Sequence, residues 1–480
     1  MKKRIKEKKK KKFSIVGIIL SVISILVSVI LVINIIRLNI VPAKYFTLFI
    51  ILEILINLLI VFLVNRKKVV PLVIGIIFLI VLTGSNIVIN NYVTTTNNFI
   101  NKSFNKSYTN VSTDYILVTS IYNPINDISE VDKNHTIYYH KYSRSVDLAK
   151  TFVGNYNYQE IDSINETLDN LGANPDNYLL ISKGSFYYLM DSSILFNVDN
   201  YKIIKEFTVS YKEETNNEVK TSYNIYLNGV DFTGIMRDFN MVITVNTEKK
   251  QILLTPLIRG FYMDVPAYGI KDTLMCLGSL DSSVSKEAIE EFLDTKIDYT
   301  VNINTNSLVN VVDTLGGIDF CSDYSFTTTH TLTTSTYNDG NGKKLYVQKG
   351  CKQYNGVEIL TIARERLHLK NNERGRIDNC KKIMLSISKK TLSKTSLMNF
   401  DEVLNSYDGL YTTDMNKEVI TSLFKSAIAD YDSYEIIEQS IDGTDGTAMG
   451  HLGSAEVGVI FPDENQVKAA SDKIKEVLNN

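Results

Sequence analysis

Four of the chain's ten arginines, Arg364, Arg366, Arg374 and Arg376, fall in one short stretch, although lysine outnumbers arginine 41 to 10 overall. A sequence that uses lysine for solvation places arginine where a planar, bidentate donor is needed, and phosphate or pyrophosphate is its natural acceptor. Side chains two apart share a side of an extended chain but lie nearly opposite one another on a helix. Arg364 with Arg366, and Arg374 with Arg376, are therefore expected to converge at a helix end and in the loop after it. The competing reading is a surface segment whose arginines pair with Glu365 and Glu373. Carboxylates supply the complementary chemistry. Asp231, in Asn228-Gly229-Val230-Asp231, follows one expected strand, and Asp238 precedes the next. Two such aspartates at neighbouring strand ends can hold a Mg²⁺ that keeps several waters and binds substrate phosphates, although loop aspartates also serve as turn formers.

Other chemistries lack their residues. GxxxxGK[ST], GxSxG and HExxH are absent, the five histidines are scattered, and the four cysteines form no CxxC, which removes phosphate-loop, serine-hydrolase, metalloprotease and zinc-site readings. The run 338–342, Asn-Asp-Gly-Asn-Gly, reads as a turn or flexible loop.

The elements that must position these residues are β-branched and aromatic runs at 223–227, 241–245, 252–257 and 299–303, with helical patterns at 285–293 and 307–315 between them. Their alternation predicts an α/β domain over 201–480, an α/β/α sandwich with a mixed central sheet, completed by helices at 417–429 and 464–477. Upstream, strand-like runs at 115–121 and 186–190 around a helix at 160–171 suggest a small α+β accessory domain over 113–200. The Asn-, Thr- and Ser-rich stretch 92–112 reads as a linker. No repeat period is found.

Taken in order, Asn228-Gly229-Val230-Asp231, Arg237 to Asn246, Ile252-Leu253-Leu254-Thr255, Arg259, Val312 to Asp319, Lys349-Gly350 and Ala363-Arg364-Glu365-Arg366 resemble the LytR-CpsA-Psr family over about 220–395. An arrangement of three membrane helices, an accessory domain and a catalytic domain is similar to that of its capsule-type members. The resemblance implies an enzyme that moves a glycan phosphate from an undecaprenyl pyrophosphate carrier onto peptidoglycan in Gram-positive bacteria. It also implies a Mg²⁺ on Asp231 and Asp238, a pyrophosphate held by Arg259, Arg364, Arg366 and Arg376, and catalytic roles for Asp238, Arg259, Arg366 and Glu373. Glu373 stands where the family usually has Asp, and Asn379 matches the Asn of an Arg-x-x-Asn-Gln ending. Departures accompany the match. Gly260 replaces the Asp of Pro-Arg-Asp, Thr273 and Cys276 replace a Lys and a His, and Cys380 replaces the Gln after Asn379. Cys380 also lies on the apolar stripe of Ile377, Met384 and Ile387, which favours packing over a reactive thiol. The alternative function is a catalytically impaired protein that binds polyprenyl pyrophosphate or regulates the cell envelope.

Apolar runs at 13–36, 45–64 and 69–89 are each long enough to cross a bilayer. Nine basic residues precede the first and Asn-Arg-Lys-Lys separates the second from the third, which places both segments in the cytoplasm and everything after about residue 92 outside the plasma membrane. Glu53 falls inside the second run without an evident partner. Fourteen of the 51 basic and two of the 53 acidic residues precede position 69, so the remainder carries an acidic excess of 14; a nucleic-acid partner is excluded. All four cysteines lie in the outer part, where bridges are permitted. Of the three possible pairings, Cys321 with Cys351 is the expected one.

Overall fold

The computed structural model describes residues 15–479 apart from 67, 105–107, 141–144, 163, 175, 187–196, 215–217, 231–235, 281, 333–341, 392–399, 408–409, 431–432 and 451–454. Two compact units result, Met1–Asn105 with Lys417–Asp432, and Lys106–Asn416 with Ser433–Asn480.

The first unit contains α1 (Ile15–Leu38), α2 (Ala43–Val64), α3 (Val69–Phe104) and, from far along the chain, α12 (Lys417–Asp430). The first three are long and apolar enough to cross a membrane. Their polarity is inverted relative to a water-soluble bundle. Ile18, Leu26, Leu52, Leu58, Ile77 and Ile80 are exposed, while Ser21, Ser24, Ser28, Glu53 and Asn86 are buried, as expected where hydrocarbon is the solvent. Asn57 Nδ2 donates to Ser28 Oγ at 2.8 Å and Asn34 Nδ2 to Asn90 Oδ1 at 2.7 Å. Glu53 does have a partner, since Asn86 Nδ2 donates to its Oε2 at 3.4 Å. A Cβ at Gly17 would stand 2.7 Å from the Val64 carbonyl oxygen, so glycine allows α1 and α2 to approach there.

The stretch read as a linker is mostly helix. α3 continues to Phe104 and β1 begins at Tyr108. Polar composition suggested a loop, but Val93, Ile100 and Phe104 fall at helical spacing and are buried, and periodicity outweighs composition. The expected helix at 417–429 exists as α12, which groups by its contacts with α1, α2 and α3.

The second unit opens with a five-stranded sheet in the order β3-β2-β4-β1-β5, from β1 (Tyr108–Ser120), β2 (Thr136–His140), β3 (Asn157–Ile161), β4 (Tyr178–Ser182) and β5 (Tyr201–Glu214), with helices α4 (Val146–Val153) and α5 (Ile164–Ala173). This sheet runs past residue 200, because β5 pairs with β1 from Tyr108↔Glu214 to Ser120↔Tyr201. Within the helix expected at 160–171, residues 160 and 161 end β3 and the helix begins at Ile164. Of the strand expected at 186–190, Phe186 is helical and the rest lies outside the described residues. Ile116, Val118 and Leu179 belong to the same apolar cluster as Tyr226, Val242 and Leu257, so this sheet shares a core with the domain that follows.

That domain is built on a mixed six-stranded sheet, β16-β11-β6-β7-β8-β17. Its strands are β6 (Ser222–Val230), β7 (Arg237–Asn246), β8 (Gln251–Leu257), β11 (Tyr299–Asn304), β16 (Tyr411–Thr413) and β17 (Glu435–Glu438). β7 runs antiparallel to both β6 and β8, while β11 runs parallel to β6 and β17 to β8. Short pairs surround it: β9 (Tyr262–Val265) with β10 (Ile270–Thr273), β12 (Ile318–Ser322) with β15 (Gly350–Tyr354), β13 (Phe326–Thr331) with β14 (Lys344–Val347), and β18 (Gly443–Gly450) with β19 (Ala455–Pro462). The helices are α6 (Leu274–Leu280), α7 (Ser282–Phe292), α8 (Thr305–Thr314), α9 (Gly356–Arg364), α10 (Glu373–Thr391), α11 (Phe400–Ser406) and α13 (Glu464–Leu478). Leu277, Ala288, Ile289 and Ile474 from α6, α7 and α13 pack on Val242 and Leu253 of the sheet. Val312, Ile359, Ile362 and Ile383 from α8, α9 and α10 form a second cluster with Phe320 and Tyr354. The fold is the mixed α/β class expected. The loop at 333–341, which includes most of the Asn-Asp-Gly-Asn-Gly run, is outside the described residues.

Cys321 and Cys351 are direct cross-strand partners on β12 and β15 and form the disulfide. Closing a loop of 30 residues restricts the unfolded chain by about 3–4 kcal/mol. Peptide mapping of the purified full-length chain should recover the Cys321–Cys351 peptide and show Cys276 and Cys380 unlabelled until denaturation. A Cys321→Ser/Cys351→Ser variant should melt at lower temperature by a margin equal to that produced by reductant on wild type.

Candidate functional site

The site assembles at one end of the six-stranded sheet. β6 and β7 pair Gly229↔Phe239 and Val230↔Arg237, so Asp238 is the extra residue of a bulge. A bulge re-aims its unpaired residue out of the ladder, and here it swings the Asp238 carboxylate toward β8. On that side Asn240 pairs with Leu257, and continuing the register two residues brings Arg259 opposite Asp238. Arg259 Nη1 donates to Asp238 Oδ1. Asp231 lies outside the described residues, as the first residue after β6 in the β6–β7 connection.

The arginine segment supplies the other side. α9 starts at a capping box, with Asn355 accepting from the Glu358 N–H and Glu358 reaching back to the Asn355 N–H, and it ends at Arg364. The chain then turns through Asn371 and Asn372, both left-handed at φ 68° and 45°, a conformation asparagine tolerates better than most residues. That turn starts α10 at Glu373. Glu373 Oε1 accepts from Arg376 Nε at 3.0 Å, and Arg259 Nε lies 3.3 Å from the same oxygen. Arg376 Nη2 donates both to Glu373 and to the Asp238 carbonyl. Two guanidiniums and two carboxylates thus form one balanced cluster, with the Asp238 side chain 31% accessible.

Burial alone would raise the Asp238 pKa, but Arg259 and Arg376, a hydrogen bond from Arg259 and the field of Arg364 hold it below the usual carboxylate value. The Arg376 pKa is raised: burial opposes its charge, and Glu373 and Asp238 more than offset that. Glu373 Oε2 is buried with no hydrogen-bond partner among the described residues, as is Asn379 Nδ2. An unmatched acceptor and an unmatched donor at such depth are costly unless something else meets them.

Of the expected site residues, Asp238, Arg259, Glu373 and Arg376 meet directly. Arg364 acts on Asp238 through its field. Arg366 is exposed, and its charge is felt at His330 together with that of Arg364. Arg374 does not converge with Arg376 as expected. It donates to Asp442 Oδ1 at 2.5 Å and to the Gly443 carbonyl at 3.0 Å, because on α10 residues two apart point to different sides. The pairing with Glu365 also fails. Glu365 is fully buried and accepts from the Arg366 and His368 N–H groups, both at 2.9 Å, and from Thr329. Burial raises its pKa, and the donors from His368 and Thr329 bring it below the ordinary value. It shapes the loop that presents Arg364 and Arg366, and nothing in the Arg-Glu-Arg sequence distinguishes that role from a surface ion pair.

The replaced positions have ordinary structural roles. Burial pushes the Cys380 thiol up to about 11, and its Sγ faces the Ala363 carbonyl at 3.7 Å, so it packs as an inert thiol. Cys276 is buried and accepts from Thr273 Oγ1 at 2.9 Å. The Gly260 carbonyl accepts from Ile460 N at 2.8 Å.

The sequence profile of the LytR_cpsA_psr family matches residues 194–476, more than half of the chain. The chain belongs to the LytR_cpsA_psr family. The match starts inside the segment that leads into β5 and ends in α13, so it takes in the six-stranded sheet and every site residue named above. Among LytR_cpsA_psr relatives, the chain is 26% identical over 281 residues to the Enterococcus faecalis V583 protein named polyisoprenyl-teichoic acid–peptidoglycan teichoic acid transferase TagU, covering 56% of this chain and 84% of that one. A Bacillus cereus AH820 protein of the same name is 26% identical over 261 residues, covering 52% and 79%. Among solved structures, TagV of B. subtilis aligns with 21% identity and a TM-score of 0.45 over 54% of this chain and 98% of that one.

Two stability predictions follow from the buried carboxylates. Glu373→Ala leaves Arg376 buried without its main counter-charge and should cost about 3–5 kcal/mol in thermal or denaturant unfolding. Glu365→Gln should cost about 1–3 kcal/mol at neutral pH. Because the folded pKa of Glu365 is depressed, its contribution is present above the unfolded value, about 4.3, and is lost as pH falls through the lower folded value. The wild-type advantage over Glu365→Gln should therefore persist at neutral pH and shrink below about pH 4.3.

Proposed function

We propose that this chain is a membrane-anchored phosphotransferase that moves a glycan phosphate from a polyprenyl pyrophosphate carrier onto peptidoglycan and releases polyprenyl phosphate. The observation that carries the reading is the ordered set Asp238, Arg259, Glu373 and Arg376 with Arg364 within its field, in a chain of the family to which named teichoic acid transferases also belong. Phosphoryl transfer asks the protein chiefly to hold dispersed negative charge in line between nucleophile and leaving group.

The inner cluster is already neutral, with Arg259 and Arg376 each spending two guanidinium nitrogens on Asp238 and Glu373 and retaining further N–H groups. The positive charge that draws the pyrophosphate comes from Arg364, whose field reaches Asp238, and from exposed Arg366 at the rim. An acceptor sugar hydroxyl attacks the phosphorus next to the glycan, the new P–O bond forms as the bridging P–O bond breaks, and the electron pair leaves with polyprenyl phosphate. The hydroxyl proton passes to a carboxylate. Asp238 is held ionised by its arginines, and the Oε2 of Glu373, buried with no hydrogen-bond partner among the described residues, suits the acceptor role. Asp238 with Asp231, an all-oxygen donor pair, suits Mg²⁺ with waters completing the shell. When bound there the ion would offset charge on the phosphate oxygens.

The basic N-terminus and the 65–68 loop support a cytoplasmic N-terminus, and the Cys321–Cys351 bridge supports an extracellular site for the second unit. The alternative, a lipid-binding or regulatory protein without turnover, is separated by one assay. Full-length protein in lipid nanodiscs receives a synthetic polyprenyl pyrophosphoryl sugar, Mg²⁺ and peptidoglycan. Release of polyprenyl phosphate together with glycan transfer is expected, reduced on the order of 100-fold in Arg366→Ala with unchanged thermal stability. Binding of the lipid without release or transfer would overturn the enzyme reading.

A further inference from the structure

Helix α12 has no part in the phosphate site, yet it is seated on the membrane helices. Lys417 Nζ donates to Asn101 Oδ1 at 2.7 Å and Lys425 Nζ to Asn39 Oδ1 at 3.2 Å. Asn39 is the residue at which α1 ends and the chain turns toward α2. The same end of the bundle carries Tyr45, 41% exposed with Lys44 Nζ 4.7 Å from its ring centroid, and Tyr92, 37% exposed. Tyrosines with lysine neighbours at the ends of apolar helices mark the boundary between hydrocarbon and headgroups. Lys425 is therefore bonded at the level of that boundary.

The inclination of α12 can be read from the bundle. The hydrogen bond between Asn34 and Asn90 matches levels on α1 and α3, so Asn39 is level with a point five residues past Asn90, and Asn101 is a further ~9 Å along α3. Lys417 and Lys425 are eight residues apart, ~12 Å along α12. The helix thus descends toward the boundary, with its C-terminal half nearest. That half exposes Phe424 at 41% and Ile428 at 46%, one turn apart on one face, with Ile420 a further turn back. An apolar stripe on a water-facing helix would be a liability. Beside helices whose outer residues are equally bare and apolar, such a stripe suits contact with lipid.

We propose that α12 is an interfacial membrane helix whose Ile420, Phe424 and Ile428 lie in the headgroup–acyl boundary of the lipid that surrounds the bundle. Lys417 and Lys425 are the flanking cations such a helix carries. The proposal rests on the three long helices spanning the membrane. Its consequence for the chain is one of connectivity: α12 follows β16 by four residues and precedes β17 by five, and these are the two edge strands of the six-stranded sheet. Both edges are tied covalently to a lipid-bound helix.

The test uses the full chain in phosphatidylcholine/phosphatidylglycerol nanodiscs, with a nitroxide at Phe424→Cys or, should that variant misfold, at Ile428→Cys. Glu418→Cys serves as the solvent-facing site and Ile77→Cys as the bilayer site, with labelled wild type as the blank. The expected result is several-fold lower collision with a water-soluble nickel relaxer, and higher collision with oxygen, at Phe424→Cys than at Glu418→Cys. Equal nickel access at the two sites overturns the proposal. Protection from both relaxers also overturns it, because a protein partner or a second copy then covers the stripe. Loss of lipid access at Ile77→Cys as well overturns the membrane reading on which the proposal depends.

Discussion

The site depends on the ion cluster that ties Asp238 on the β7 bulge and Arg259 after β8 to Glu373 and Arg376 at the start of α10. Isolated, each of these charges would be costly to place so deep. Together they are neutral, and the pairing fixes a sheet end against a helix N-terminus. The acidic end of α10 also sits where the helix dipole favours it. On the proposed function, an anion would be met by the remaining guanidinium N–H groups of the cluster, by Arg364 and by exposed Arg366. An acceptor oxygen on Glu373 with no partner among the described residues gives the arrangement a direction.

Much of this was legible in the sequence because it is local. The strands around 223–227, 241–245 and 252–257 announce themselves by β-branched runs, and the arginine excess at 364–376 by its contrast with a lysine-rich chain. The compartment permitted bridges without choosing among the pairings, and the register of β12 on β15 is what brings Cys321 to Cys351. Which arginines converge was not legible. Arg374 and Arg376 look equivalent in sequence, but helical geometry sends one to Asp442 and the other into the site. Glu365 looked like an ion-pair partner, and its burial beneath four donors depends on Thr329, more than thirty residues away.

Composition misled at 92–112, where Asn and Thr on the outer face of α3 concealed a buried apolar stripe. The shared core between the five- and six-stranded sheets was equally hidden, because an apolar strand face does not record which element covers it. For the shared core the missing information is a long-range contact that no local period encodes, whereas the helical spacing of Val93, Ile100 and Phe104 was present in the sequence.

On the proposed function, the arginine-rich cluster recognises a pyrophosphate rather than a single phosphate. That preference is tested most directly by calorimetric titration of the full-length protein in nanodiscs with a short polyprenyl pyrophosphate and with the matching monophosphate, both with Mg²⁺ present. At least about tenfold tighter binding of the pyrophosphate, roughly 1.4 kcal/mol, is expected, with loss of that preference in Arg364→Ala/Arg366→Ala. Equal affinity for the two lipids in wild type would contradict it.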